Sequence, residues 1–223
     1  IHDLIPLDMP EDRPAADVRR FEQSVRNACR NAAWVICPSN YTRDRLISEF
    51  DADPDFVTAN PWAPDKSVRP VSDEDARPVL ARYGLNRDNH KDEPARFVLH
   101  FGAAAPRKNT QRLLDAWARM SQNEPHDWRL LIVGLDDATR DKLRNLAANL
   151  DVVQSVRLHG FADEADLPAL LSSADLLAYP SLSEGFGLPM LDAWAAGTAV
   201  MTGNRTSLPE VAGNAAFMVD ATD

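Results

Sequence analysis

The sequence has little cysteine and no long apolar run. Two cysteines among 223 residues are too few for a disulfide framework or for a metal site with four cysteine ligands. We expect both, Cys29 and Cys37, to be buried thiols in a reducing compartment. No apolar run approaches the roughly 18–20 residues that span a bilayer, and the first residues resemble no signal peptide. These absences argue against a disulfide-rich secreted domain and against a membrane span.

Basic residues are in the minority. Asp and Glu number 34 and Lys and Arg 24, for a formal net charge of −10. A protein that coats duplex nucleic acid needs a basic face, so we expect no nucleic-acid partner. A small anionic ligand that a few local cations hold remains compatible with this charge. The apolar fraction of 44% supplies a packed core for one large domain or two small ones.

Several catalytic signatures are missing. The dinucleotide fingerprint G-x-G-x-x-G, the phosphate loop G-x-x-x-x-G-K-[ST] and the nucleophile elbow G-x-S-x-G do not occur. Acidic D-x-D triplets occur only between residues 51 and 75, in proline-rich stretches, and we interpret them as chance. We therefore expect no metal cofactor.

Glycine is absent from residues 1–83, and prolines cluster where this part ends. Proline and acidic residues without apolar periodicity predict an exposed connection and a domain boundary near residues 61–78. Before it, the pattern predicts a helix over 15–33, a strand over Trp34–Ser39 and a helix over Tyr41–Phe50 with Ser39 as its N-cap. The predicted organisation is a partial domain at 1–62, a linker and lead-in at 63–95, and a domain at 96–223.

After the boundary, strands and helices alternate. The predicted strands are Arg96–Gly102, Trp128–Gly134, Val156–Phe161, Ala174–Pro180, 198–203 and 215–220, and the predicted helices are 110–120, 137–149 and 166–173. Asn109 stands at the N-cap of the first of these helices. Apolar strands that alternate with helices indicate a parallel sheet covered on both faces. The predicted fold is α/β, a Rossmann-like, doubly wound parallel sheet with a partial second α/β domain.

Ligands of such sheets bind outside the carboxyl ends of the strands, which directs attention to three loops. In the first, Gly102–Thr110, small residues would let a ligand approach the backbone, and Arg107 and Lys108 follow them at a helix N-terminus. Two cations beside free helix N–H groups suit a diphosphate. The alternative is a solvated basic pair in front of a helix.

The second loop, Pro180–Gly197, contains Gly185 and Gly187, which allow tight turns and close ligand approach, together with Glu184 and Asp192. These carboxylates can accept hydrogen bonds from sugar or ribose hydroxyls. Alternatively, they cap the following helix or favour its positive end.

The third loop, His159–Leu167, either presents backbone groups to a base or is an ordinary connection. His159 itself has the features of a structural histidine. The other histidines except His2 lie in stretches interpreted as hydrophilic loops.

The ordered motifs of the chain resemble a known family. FVLHFGAAAPRKN, LLIVG and VRLHGFADEADLPALLSSADLLAYPSLSEGFGLPMLDAWAAGTAVMTGNRTSLPEVAGNAA resemble the family 4 glycosyltransferases, retaining enzymes with the two-domain GT-B architecture. The resemblance runs from about Phe97 to Asp220. IHDLIPL and ICPSNYTRDRL look like the last part of that family's N-terminal, acceptor-binding domain. The chain does not begin with Met, and we expect it to be part of a longer protein.

The resemblance implies roles for individual residues. The implied catalytic residues are His2, Arg107, Lys108 and Glu184, and the implied donor-binding residues are Gly102, Arg107, Lys108, Phe161, Glu184, Gly185, Phe186, Gly187, Leu188 and Asp192. Lys108 and Arg107 would hold the donor diphosphate in place of a metal, and Glu184 would contact the donor sugar. Asp192, one methylene shorter than the usual Glu, would bind ribose, and the Phe161 loop would lie near the base.

Two further positions depart from the family pattern. Ala103 stands where many members carry Arg, and Asn60–Trp62 replaces a common Asn-Gly turn.

The resemblance also implies an activity. We expect a retaining transfer of a sugar, with GDP-mannose favoured over a UDP-sugar, to a glycan or lipid-linked acceptor in polysaccharide or lipopolysaccharide assembly. A cytoplasmic location is implied, with peripheral membrane contact through the region before residue 1. A nucleotide-sugar epimerase of the same architecture and a non-catalytic nucleotide-sugar-binding module are the alternatives.

Overall fold

The chain is built from two units, seen in a computed structural model that describes residues 1–87, 90–124 and 126–223. The first unit comprises Ile1–Ala63, Ser181–Leu188 and Thr202–Asp223. The second comprises Pro64–Pro180 and Pro189–Met201. Each unit is thus assembled from more than one stretch of the chain. Residues 88–89 of the lead-in expected at 63–95 lie outside the described residues.

The amino-terminal part of the first unit is a small α/β arrangement. Its elements are α1 (Ile5–Asp8), α2 (Ala15–Asn31), β1 (Val35–Cys37), α3 (Asn40–Phe50) and β2 (Val57–Ala59). The two strands pair in parallel, with Val35 opposite Val57 and Cys37 opposite Ala59. Their core is formed by Leu4, Val25, Val35, Cys37, Leu46, Phe50, Ala52 and Val57.

Local sequence accounts for the start of α3. The Ser39 Oγ accepts a hydrogen bond of 3.2 Å from the Thr42 amide, which satisfies one of the unpaired donors at the helix N-terminus. The predicted N-cap is confirmed. Both cysteines of the chain are free thiols. Cys37 is buried as expected, but the expectation is wrong for Cys29, which is only half-buried because it packs partly against this core. Burial raises the pKa of each thiol, so both remain protonated near neutral pH.

The second unit supplies most of the elements. In chain order they are α4 (Asp73–Arg82), β3 (Asn86–Arg87), β4 (His90–Pro94), β5 (Phe97–Phe101), α5 (Thr110–Asn123), β6 (Arg129–Val133), α6 (Asp137–Asn149), β7 (Val156–Leu158), α7 (Leu167–Ser173), β8 (Leu176–Tyr179) and α8 (Leu188–Ala195), and the chain continues through β9 (Val200–Gly203), α9 (Leu208–Ala212) and β10 (Phe217–Val219). The helix over 137–149 has the predicted bounds, and the other predicted helices and strands of this region lie within a few residues of theirs.

In the second unit the principal sheet has the strand order β8-β5-β6-β7. Strand β5 pairs in parallel with both β6 and β8, so that Leu99 lies opposite Leu131 on one side and Leu177 on the other. All three leucines are fully buried. Helices cover the sheet through a core that includes Leu114, Trp117, Leu130, Ile132 and Leu143. The prediction of a doubly wound, parallel α/β sheet is confirmed.

The exposed connection predicted at residues 61–78 is wrong in its second half. Residues 73–82 form α4, whose N-cap Ser72 accepts a hydrogen bond of 3.2 Å from the Asp75 amide. Ala76 and Leu80 are buried one turn apart, and this apolar pair stabilises the helix despite Pro78. Proline content concealed a short amphipathic helix.

Candidate functional site

Gly102 follows β5, and packing within the second unit accounts for its small size. Its amide donates a 2.8 Å hydrogen bond to the Val133 carbonyl. A Cβ here would lie 2.7 Å from Ile132 Cγ2 and 2.9 Å from Leu135 Cδ2, closer than such atoms approach one another. The small residues of this loop predict close approach of a ligand, but the packing of β5 on β6 is by itself sufficient reason for glycine at residue 102.

Arg107 and Lys108 lie half-buried in the short 3₁₀ turn Pro106–Lys108, directly before α5. The Lys108 Nζ donates a 3.0 Å hydrogen bond to the hydroxyl of Tyr179 and lies 4.7 Å from the centre of its ring. Tyr179 is buried at the end of β8, so it fixes the ammonium group in place. Two cations beside the N-terminus of a 14-residue helix can bind an anion such as a diphosphate.

Asn109 occupies the predicted N-cap position of α5 but does not cap it through its side chain. Its backbone is left-handed, with φ of 59°. Its Nδ2 donates a 3.1 Å hydrogen bond to the Pro180 carbonyl instead, which joins the start of α5 to the end of β8. The predicted position is confirmed, and the side-chain partner is a carbonyl that only the fold brings near.

The prediction that the histidines other than His2 and His159 lie in hydrophilic loops is wrong for His100. It is fully buried in β5, with Nδ1 2.8 Å from the Ala178 carbonyl and Nε2 2.9 Å from the Thr110 hydroxyl. Burial lowers its pKa to about 4, so the ring is neutral at pH 7. A neutral ring with both nitrogens occupied has a structural role, because it links β5, β8 and α5.

Two side chains near the end of β7, Phe161 and His159, differ in their exposure. Phe161 is 86% exposed, so its ring is available to a ligand. His159 lies 4.9 Å from the Tyr83 ring, and its Nε2 is 3.2 Å from the Tyr83 carbonyl. Burial lowers the pKa of His159. These contacts agree with the structural role expected for His159.

Asp192 lies on α8 and is half-buried. Its Oδ1 accepts a 2.9 Å hydrogen bond from the Asp65 amide, at the start of the second unit. Burial raises the pKa of Asp192. The carboxylate expected to bind ribose therefore also fixes the backbone near Asp65, a contact that the sequence does not indicate.

In the first unit, Glu184 is buried. Its backbone amide and carbonyl form hydrogen bonds with side chains of the segment directly before α9. The Glu184 amide donates to the Thr206 Oγ1 at 3.1 Å. The Ser207 hydroxyl lies 2.8 Å from the Glu184 carbonyl and 3.2 Å from that of Phe186, and the two carbonyls share its one hydrogen. Neither Thr206 nor Ser207 was among the residues that the sequence analysis selected.

The amino terminus passes so close to residue 185 that only glycine fits there. A Cβ at this position would collide with the His2 carbonyl oxygen and would lie 2.7 Å from Asp3 Cβ. The Gly185 carbonyl accepts a 2.7 Å hydrogen bond from the Ser39 hydroxyl. Gly187 has φ of +109°, a conformation that favours glycine.

Three rings form a row in the same unit. The centroid of Trp62 lies 5.4 Å from that of His2 and 5.6 Å from that of Phe186. The fold thus brings together His2, Gly185 and Phe186, which the sequence analysis selected separately. It also places Trp62 beside them, where the departure from the Asn-Gly turn was the only signal in the sequence.

The structure describes no helix that is both long and apolar enough to cross a membrane within the part of the chain that it covers.

Comparison with known sequences identifies related proteins. Residues 85–223 match the family described as "Glycosyl transferases group 1". The O-antigen chain mannosyltransferase B of Escherichia coli is 31% identical over 222 residues, which cover 100% of this chain and 56% of that protein. The D-inositol 3-phosphate glycosyltransferase of Salinispora arenicola is 35% identical over 205 residues, or 87% of this chain and 43% of that protein. The chain thus spans about half the length of the curated relatives it matches.

Solved structures agree on the fold. HepE from Anabaena, in complex with UDP and glucose, superposes with a TM-score of 0.77 at 22% identity, over 98% of this chain and 57% of that one. WaaG, a glycosyltransferase involved in lipopolysaccharide biosynthesis, gives a TM-score of 0.69 at 19% identity, over 83% of this chain and 48% of that one. The α/β architecture is that of GT-B glycosyltransferases, and the family match extends over more than half of the chain. The chain belongs to the group 1 glycosyltransferase family.

Proposed function

We propose that this chain carries the donor-binding part of a retaining glycosyltransferase that transfers mannose from GDP-mannose to a glycan or lipid-linked acceptor. The observation that carries the proposal is the 31% identity, along the whole chain, to an O-antigen chain mannosyltransferase. The serotype-specific mannosyltransferase WbdA of Escherichia coli, 29% identical over 221 residues, supports the same sugar. We propose an acceptor in surface polysaccharide or lipopolysaccharide, which the O-antigen chain named for the first of these relatives supports.

Competing donors have support among other relatives. D-inositol 3-phosphate glycosyltransferases align with 28–35% identity, and HepE was crystallised with UDP-glucose. These likenesses support glycosyl transfer and leave the base and the sugar to experiment. GDP-mannose is the donor we favour because the mannosyltransferase alignment covers the full chain.

In the second unit, Lys108 and Arg107 would neutralise the donor diphosphate. The hydrogen bond to Tyr179 orients the Lys108 ammonium before a ligand arrives. Fixed positive charge stabilises the nucleoside diphosphate most strongly as it departs and gains negative charge, which lowers the barrier to transfer. We propose that these cations make a metal ion unnecessary. Phe161 would lie near the base, and the Oδ2 of Asp192 would accept from a ribose hydroxyl.

In the first unit, the Glu184 carboxylate would accept hydrogen bonds from the donor sugar. Backbone groups of residues 185–188 would contact the sugar and the phosphates, since their glycines permit close approach. His2, which contacts Gly185 and Trp62, would complete the sugar-binding surface. For the chemical step we propose front-side transfer, in which a leaving phosphate oxygen accepts the proton of the acceptor hydroxyl as that hydroxyl attacks the sugar.

Calorimetry on the full-length protein tests the donor. We expect GDP-mannose to bind more tightly than UDP-glucose. Tight UDP-glucose binding without GDP-mannose binding would contradict the proposed donor.

The transferred sugar should keep its anomeric configuration by NMR, and an inverted product would exclude front-side transfer. Activity should persist in EDTA, because the diphosphate is neutralised by Lys108 and Arg107.

Variants test the two groups of residues. Glu184→Ala should lower kcat about 100-fold or more, as expected for the loss of a contact that acts in the transition state. Lys108→Gln should weaken donor binding and kcat together. Lys142→Gln, an exposed lysine on α6, is the matched control and should leave both unchanged. Full activity of Glu184→Ala would remove the assignment of the sugar-binding carboxylate.

A further inference from the structure

Thr206 has a strained backbone in the first unit. Its φ of 55° lies in the left-handed region, which a β-branched residue rarely adopts. Among the described residues, the other non-glycine positions with positive φ are Asp51, Asn109 and Asp151. Asp and Asn tolerate this conformation, whereas threonine is strained by it. Glycine would remove the strain, so the threonine side chain needs a separate explanation.

The hydroxyl group of Thr206 supplies that explanation. Its Oγ1 accepts the hydrogen bond from the Glu184 amide at 3.1 Å. The left-handed turn places Ser207, the next residue, so that its hydroxyl reaches the Glu184 carbonyl at 2.8 Å. Adjacent hydroxyls thus hold the amide and the carbonyl of one residue, which fixes the backbone on both sides of the Glu184 side chain.

Further hydroxyl contacts fix the rest of this loop. The Ser207 hydroxyl also lies 3.2 Å from the Phe186 carbonyl, and the Ser39 hydroxyl donates to the Gly185 carbonyl at 2.7 Å. Ser39 and Ser207 are fully buried. The three consecutive carbonyls of residues 184–186 therefore all lie within hydrogen-bond distance of side-chain hydroxyls, and those of Glu184 and Phe186 share the single Ser207 hydrogen.

We propose that Thr206 is a positioning residue for glycosyl transfer: its hydroxyl holds the Glu184 backbone, and through it the carboxylate, in the arrangement that the reaction needs. This inference rests on the proposed function of Glu184. Local strain is commonly retained at functional sites because the surrounding structure uses the strained geometry. The strained backbone of Thr206 therefore lowers the stability of the fold, and its hydroxyl holds Glu184 in position.

Three variants of the full-length protein separate positioning from folding. Thr206→Gly removes both strain and hydroxyl, so we expect unchanged or higher thermal stability with kcat at least 10-fold lower and a smaller change in KM. Thr206→Ser keeps the hydroxyl, and we expect it to restore most of kcat. Asp151→Gly, at another position with positive φ in the turn after α6, is the matched control and should leave kcat unchanged.

Amide hydrogen exchange gives a readout that does not depend on activity. In Thr206→Gly, amides of residues 184–188 should exchange faster than in the wild type, while those of α6 should not change. Wild-type kcat in Thr206→Gly, equal loss in Thr206→Ser, or unchanged exchange at residues 184–188 would each overturn the inference. A wild-type protein that neither binds a nucleotide sugar nor transfers one would overturn the proposed function itself, and the exchange result would still show whether the hydroxyl holds the loop.

Discussion

Gly185 shows how much a single residue depends on its surroundings. The chain around His2 and Asp3 passes so close that any side chain at residue 185 would displace it. The sequence alone indicates a glycine that allows a tight turn and close approach of a ligand. The structure adds a packing reason, which depends on residues more than 180 positions earlier in the chain.

A pair of alanine substitutions tests this packing. Gly185→Ala should destabilise the protein by about 1–3 kcal/mol, the usual cost of overpacking where backbone cannot easily move. Gly160→Ala is the matched control, because its Cβ would have ordinary contacts of 3.7 and 3.9 Å. It should be neutral or slightly stabilising, since alanine restricts the unfolded chain. Urea unfolding measures both, and equal stabilities would contradict the packing at Gly185.

Gly102 shows the limit of sequence reasoning at the same scale. Small residues after a strand indicated a ligand-approach loop, yet the side chains of Ile132 and Leu135 already exclude a Cβ. Sequence cannot distinguish these causes, because the neighbours come from the next strand and the loop that follows it. A residue type indicates that space is tight, and only the fold shows what fills it.

At the scale of the element, the serine N-caps of α3 and α4 differ in what else they hold. Ser72 caps α4 and its hydroxyl also bonds to the Asp75 carboxylate one turn on. Ser39 caps α3 and in addition holds the Gly185 carbonyl. The local pattern of a serine before a helix is the same in both, so the second role of Ser39 could not be predicted from it.

Alanine substitution should separate the two caps. Each of Ser39→Ala and Ser72→Ala should cost about 1 kcal/mol of stability through the lost cap. Ser39→Ala should cost more and should also lower kcat, because the Gly185 carbonyl loses its donor. Thermal unfolding and initial rates of transfer measure the two effects. Reduced kcat in Ser72→Ala, or none in Ser39→Ala, would contradict this division.

Elements with a strong apolar periodicity can be predicted from the sequence, and short elements without it cannot. Helix α6 was predicted with its observed bounds, because apolar spacing and acidic residues at its start agree. Helix α4 was missed because proline and acidic residues outweighed its single apolar pair. Strands β3 and β4 form a short antiparallel pair whose composition resembles that of a loop. Short elements depend on their neighbours more than on their own sequence.

At the scale of the whole molecule, His100 couples proton binding to the folding of the second unit. Burial lowers its pKa from 6.5 to about 4, so between these values the unfolded chain binds more protons than the folded one. Stability is therefore full above about pH 6.5 and falls as the pH decreases towards 4. The loss ends where the folded form also takes up its proton.

His100→Asn should remove this contribution. Between pH 7 and pH 5 the wild type should lose about 2 kcal/mol more stability than the variant, at roughly 1.4 kcal/mol for each pH unit. Asparagine still donates to a carbonyl in the place of Nδ1, so the variant should fold. Urea unfolding at the two pH values gives the comparison. Parallel losses in the two proteins would show that His100 is not the group responsible.

The sequence by itself determined most of the strands and helices after residue 95 in their order, the parallel sheet, the loops able to bind a ligand and the resemblance to a glycosyltransferase family. These features follow from local propensity and periodicity, which neighbouring residues encode. Only the tertiary structure decided how separate stretches combine into each unit and which hydroxyls hold the Glu184 loop. Ser39 and Gly185 lie 146 positions apart, and no local pattern specifies such a pair. The reason is physical: a hydrogen bond between distant residues depends on the packing of every element that separates them.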